Sequence, residues 1–232
     1  MIRHSLAAIA FTAVAVAAAP AISATLSVSG IAGTFSGVEG GRNVQGAGSS
    51  LITWGWGGSS GYEFVANGSL SEVALDEAFN LGDFRHVNKA ITSGSSISGA
   101  RLAIGFDLKI GDETRKYRTV YDLSHWETDN YPAGACPSGA KPCADRVQAI
   151  YNAALSDRFD IGGVIYTLAL FPFDGFAMEG GSPTFWTAEG KVNSSAMKAV
   201  ITASIPAAVP LPASLPLLLA GLGGFGLFRR RR

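Results

Sequence analysis

Charge is scarce in this chain. Only 16% of its 232 residues are Asp, Glu, Lys or Arg, and it holds three histidines, three methionines and two cysteines. No long helical apolar period runs through its middle, which excludes a coiled coil, and 47% apolar content at such low charge excludes a disordered chain. A basic surface is missing too. Arg3 and Arg229 to Arg232 sit in end segments that read as processed, so the body keeps 18 acids against 13 bases, about −5. That balance argues against a nucleic-acid partner. Spacing also withholds the familiar metal signatures: there is no C-x-x-C, no H-E-x-x-H and no EF-hand loop. What is plentiful is glycine, 29 residues, and the length suits one domain.

Residues 1–24 open on Arg3 and His4, run apolar from Leu6 to Ala19 and close on small residues. This is the layout of a secretory signal peptide, with cleavage expected after Ala21, Ser23 or Ala24, the last favoured. The other end is apolar from Ala207 to Phe228, about 33 Å if helical, and ends in Arg229, Arg230, Arg231 and Arg232. Such stop-transfer charges stay on the cytoplasmic side, which places the body outside the inner membrane. Pro210, Pro212 and Pro216 oppose regular helix at the outer end. Only Leu217 to Phe228 is uninterrupted, which suits a temporary stop better than a permanent span.

Val209-Pro210-Leu211-Pro212-Ala213, the Leu/Gly-rich span and the Arg cluster together resemble the VPLPA variant of the PEP-CTERM sorting signal of Gram-negative bacteria. The resemblance implies recognition by an exosortase, removal of the tail, and an association with exopolysaccharide and biofilm. Gly221, Gly223 and Gly226 spell G-x-G-x-x-G, but no ribose-binding acid follows, so the dinucleotide reading fails.

Between these ends the period is two. Leu102, Ile104, Phe106, Leu108 and Ile110 alternate with Arg101, Ala103, Gly105, Asp107 and Lys109, the pattern of a half-buried strand. Tyr117, Thr119, Tyr121 and Leu123 resume it after Gly111-Asp112-Glu113, predicting a hairpin. Val164 to Phe171 is apolar on both faces and reads as a central strand. Shorter strands are expected at 26–28, 34–38, 51–56, 62–66, 147–151 and 198–203, with a helical turn as the alternative near 145–155. The expected fold is all-β, an antiparallel β-sandwich, jelly-roll-like in character.

Cys136 and Cys143, an even count in an exported chain, predict a disulfide. The body further resembles the choice-of-anchor K family of secreted bacterial domains. The residues that carry this are Thr53-Trp54-Gly55, Ser60-Gly61-Tyr62 with Phe64, Phe79 to Ile91, Tyr166-Thr167-Leu168 and Phe185-x-Thr187-x-Glu189. That family implies a secreted β domain and supplies no catalytic residues. Ala90 stands where its pattern has proline.

Candidate chemistry is sparse. Gly57-Gly58-Ser59-Ser60-Gly61 matches G-x-S-x-G, but a strand follows instead of a helix, so a hairpin loop is expected. His86 and His125 are the only body histidines; His86, placed on a loop, reads as a polar latch between strands, with a two-histidine metal site assembled by folding and general acid/base work as the alternatives. Glu63, Glu72, Asp76, Glu77 and Asp83 concentrate acids, as a solvated surface, a calcium loop without EF-hand spacing, or a carboxylate pair for glycoside hydrolysis. Ile52, Trp54 and Trp56 share one strand face by period two, and the stripe either fills the core or stacks on sugar rings. Trp126 and Trp186, expected in loops, are the alternative stacking groups.

The sequence therefore reads as a signal peptide (1–24), a secreted β-sandwich (25–205) and a sorting tail (206–232). Expected partners are the secretion translocon and signal peptidase, an exosortase, the inner membrane transiently, and exopolysaccharide. The expected role is non-enzymatic, structural or adhesive, at the surface of a Gram-negative cell or in its matrix, with no catalytic residue, cofactor or metal. A secreted carbohydrate-active hydrolase is the alternative.

Overall fold

The structure, a computed structural model, describes residues 25–150, 156–175 and 177–206. The signal-peptide segment and nearly all of the sorting tail lie outside the described residues. Within them the chain forms β1 (Leu26–Gly40), β2 (Leu51–Trp54), β3 (Ser60–Ala66), β4 (Ala78–Val87), β5 (Ile97–Ile110), β6 (Glu113–Trp126), β7 (Asp145–Ile150), β8 (Ser156–Ile161), β9 (Val164–Phe171), β10 (Ala177–Glu179), β11 (Ser182–Thr187) and β12 (Val192–Ser204). These strands make two six-stranded sheets, ordered β1-β5-β6-β7-β11-β10 and β2-β3-β4-β12-β9-β8. Every pairing is antiparallel. The protein is an all-β sandwich in which meanders and hairpins are dealt alternately to the two layers. β12 returns to lie between β4 and β9.

The period-two strand of the sequence is β5. Leu102, Ile104, Phe106, Leu108 and Ile110 are all buried, and Gly111, in the left-handed region at φ 58°, turns the chain so that Ile110 pairs with Glu113. The two short strands expected at 26–28 and 34–38 are one strand. Gly30 and Gly37, at φ 63° and 54°, absorb register shifts against β5 and let pairing resume. The 147–151 segment is strand β7 through Ile150, and β9 holds the interior position expected for Val164 to Phe171.

Facing aromatics fill the space between the layers. Phe35 of the first sheet lies 6.1 Å from Tyr62 of the second, and Tyr62 lies 4.9 Å from Phe84. Gly33 on β1 is what allows this approach, because a Cβ there would fall inside the Phe64 ring.

Candidate functional site

At one edge of the core the inward stripe turns from apolar to polar. On β6, Tyr121 and Leu123 are followed at the next inward position by His125; on β4, Phe84 is followed by His86; on β7, Asp145 precedes Val147 and Ala149, and all are buried. Register brings them together: Tyr62 pairs with His86 in one sheet, and Asp145 pairs with Thr187 in the other. Glu127 and Thr128 follow β6 directly, and Glu189 follows β11 by two residues. His86 is therefore on a strand, not the expected loop. It is a latch all the same, but between sheets.

The hydrogen bonds set the protonation of this cluster. The Thr187 hydroxyl donates to the Asp145 carbonyl at 3.1 Å and lies 2.8 Å from His86 Nδ1. With its single proton so used, Thr187 accepts from His86 Nδ1–H. Burial, and then the nearby His125, hold His86 well below the usual imidazole range. It is therefore neutral, and Nε2 carries a bare lone pair with no hydrogen-bond partner. Tyr62 Oη lies 2.6 Å from His125 Nδ1, and Glu127 Oε2 lies 3.4 Å from His125 Nε2. Trp54 stacks on His86 with ring centroids 5.8 Å apart.

Asp145 is fully buried, and its two oxygens are treated differently. Oδ1 accepts from the Thr128 amide at 2.8 Å and lies 3.2 Å from the Thr128 hydroxyl, while Oδ2 has no partner. Burial, reinforced by the charge of Glu127, pushes Asp145 up to about 7 against the Thr128 bonds. Burial and Glu127 raise Glu189 too. The Gly190 amide and the Asn130 side chain lie near enough to favour ionised Glu189 without meeting either oxygen in hydrogen-bond geometry. Ligand atoms of His86, His125 and Asp145 lie within 4.8 Å of one another, as do those of Glu127, Asp145 and Glu189. A cleft of about 470 Å³ opens beside Glu127, between Ile91–Ser96 and Thr128–Asn130.

The same strands present a second row on the opposite face. Each inward residue has an outward neighbour: Trp126 after His125, Arg146 after Asp145, Trp186 before Thr187. Arg146 is the cross-strand partner of both Trp126 and Trp186. Its guanidinium sits 4.8 Å from the Trp126 ring, and the two indole centroids are 6.3 Å apart at 60°. Trp186 Nε1 donates to Glu179 Oε1 at 2.7 Å, and Glu179 Oε2 stands 3.8 Å from Arg146. Trp126 is 42% exposed.

Other expectations sort as follows. Trp126 and Trp186 lie on strands, not in loops. Ile52 and Trp54 are core residues, but Trp56 is 56% exposed, because β2 ends at Trp54 and Gly55 at φ 115° breaks the alternation. Trp54, 1% exposed, offers no stacking face. The G-x-S-x-G stretch joins β2 to β3, so no nucleophile elbow forms. Glu63 pairs with Arg85 at 3.5 Å, and Asp83 accepts from Asn80. None of the five acids singled out in the sequence belongs to a convergent group among the described residues. Cys136 and Cys143 are bonded to each other.

Sequence reasoning missed Tyr62, Glu127, Asp145, Thr187 and Glu189 as site residues. Among the described residues no helix is long and apolar enough to cross a membrane. Residues 208–232 match the PEP-CTERM protein-sorting motif, and no curated protein matches the chain. The motif marks an exported surface protein of a Gram-negative bacterium, with a membrane-anchored precursor and an exosortase as its processing partner.

Proposed function

We propose that residues 25–205, released from a signal peptide at 1–24 and a sorting tail at 206–232, act as a non-enzymatic adhesive domain that holds exopolysaccharide at the cell surface or in the matrix. The observation that carries this reading is the outward row Trp126–Arg146–Trp186. Indole faces meet the apolar C–H faces of sugar rings, while Arg146, Glu179 and the adjoining Gln148 supply polar contacts around them. Mounting on three paired strands keeps the row rigid, so little freedom is lost on binding. The resemblance to choice-of-anchor K domains, themselves secreted β modules, supports the same reading. Ligand oxygens of Glu127, Asp145 and Glu189 lie within 4.8 Å of one another, closer than the about 5–5.5 Å or more that a glycosidase pair keeps, and Asp145 is fully buried, which favours binding over the hydrolase alternative.

The exported protein, purified from its producer, should be retained on a column of that organism's exopolysaccharide without releasing reducing ends. Trp126→Ala and Trp186→Ala should each lower affinity about fivefold or more, about 1 kcal/mol. Unchanged retention in both folded variants overturns the reading. Reducing sugar that disappears in Glu127→Gln establishes the hydrolase instead.

A further inference from the structure

We propose that His86, His125 and Asp145 bind a divalent first-row transition cation of the zinc class, which ties the two sheets together at this edge of the core. Spacing in the sequence pointed to no metal, because the ligands come from β4 of one sheet and from β6 and β7 of the other. The inference is independent of the glycan reading.

Three observations carry it. First, one ligand atom from each residue lies within 4.8 Å of the others. Bonds of about 2.0–2.2 Å to a tetrahedral ion place ligand atoms about 3.3–3.6 Å apart, so the set closes by at most about 1.5 Å on binding. Second, each side chain has one atom pinned by a partner. His86 Nδ1 is held by Thr187, His125 Nδ1 by Tyr62, and Asp145 Oδ1 by Thr128. This outer-shell anchoring is how proteins orient metal ligands and set the imidazole tautomer. Third, His86 and Asp145 are both 0% exposed, and their other atoms, Nε2 and Oδ2, have no hydrogen-bond partner. Buried polar atoms left without a partner are costly, and a cation shared between the two side chains would satisfy both.

The donor chemistry selects the class of ion. Two imidazoles and a carboxylate suit zinc and its first-row neighbours, whereas calcium takes oxygens only. Glu127 Oε2 lies 3.4 Å from His125 Nε2 at the border of the set, but Glu127 converges with Asp145 and Glu189, not with His86. Burial of the three ligands and their origin on both sheets indicate a structural centre. Bound ion would stabilise the sandwich in proportion to its affinity.

The test uses the exported protein stripped with a chelator and titrated with zinc chloride, and separately with calcium chloride, near neutral pH. One zinc per chain should bind, and a hundredfold excess over Kd should raise Tm by about 5 °C or more, with calcium silent. His86→Ala and Asp145→Asn should abolish both the binding and the shift. Should either variant fail to fold, cobalt(II) added to the stripped wild type reads the site directly, and an intense visible d–d band reports its tetrahedral N/O shell. Zinc that neither binds nor shifts Tm overturns the proposal. Stabilisation by calcium with zinc silent also overturns it, and assigns the ion to Glu127, Asp145 and Glu189.

Discussion

His86 and Thr187, 101 residues apart, are joined by a 2.8 Å hydrogen bond that crosses from one sheet of the sandwich to the other. The Thr187 hydroxyl also donates to the Asp145 carbonyl of its own sheet, so one small side chain serves both layers. It belongs to a buried polar group, with His86, Asn88 and Asp145 all hydrogen-bonded to Thr187. A polar tie in such surroundings specifies how the layers align at this edge, since any slip leaves buried polar atoms unmet.

Thr187→Val tests this tie. The substitution nearly preserves shape but removes the acceptor of His86 Nδ1–H and the donor to Asp145. It should destabilise the domain by about 2–4 kcal/mol, lowering Tm by about 5–10 °C. Thermal unfolding followed by circular dichroism measures it, and a change below 1 °C would refute the role.

Gly33→Ala should destabilise for a different reason. The new Cβ would enter the Phe64 ring of the facing sheet, and overpacking of this kind costs about 1–3 kcal/mol. Gly134→Ala meets nothing within 4 Å and should stay within about 0.5 kcal/mol of wild type. Denaturant unfolding of the two variants side by side checks the contrast.

The Cys136–Cys143 bond closes a short loop away from the main core, and the chain-entropy model gives it about 2.5 kcal/mol. Reduction should therefore open residues 135–144 to proteolysis while the far-ultraviolet spectrum of the β core persists. Peptide mapping without reductant should recover the two cysteines linked; free thiols at both positions in exported material would contradict the bond.

Processing gives the fourth prediction. Mass spectrometry of protein recovered from the cell surface or medium should find a start between Ile22 and Thr25 and no trace of Arg229 to Arg232. Replacing Pro210 and Pro212 by alanine should trap the precursor in the inner membrane. Intact arginine tail outside the cell would refute exosortase release.

Much of the architecture was legible because strand chemistry is local. The alternation of β5 and the β5–β6 hairpin follow from side-chain period and one glycine turn. β4 was harder: Asn80, Asp83, Arg85 and His86 interrupt its apolar positions, and its inward face is continued by a histidine that reads as a loop residue until its partners are known. Trp56 shows the converse error, where period two was extended through Gly55, a residue whose positive φ ends the strand.

The address of this protein and its class were determined by sequence alone, because a sorting tail is read as a linear string and a period of two commits a chain to sheets. Tertiary structure alone decided the site. Tyr62, His86, His125, Asp145 and Thr187 sit on five strands of two sheets, and only register and sheet packing converge them. The same one-residue step that turns His125, Asp145 and Thr187 into the core turns Trp126, Arg146 and Trp186 out to solvent, since neighbouring residues on a strand must face opposite ways.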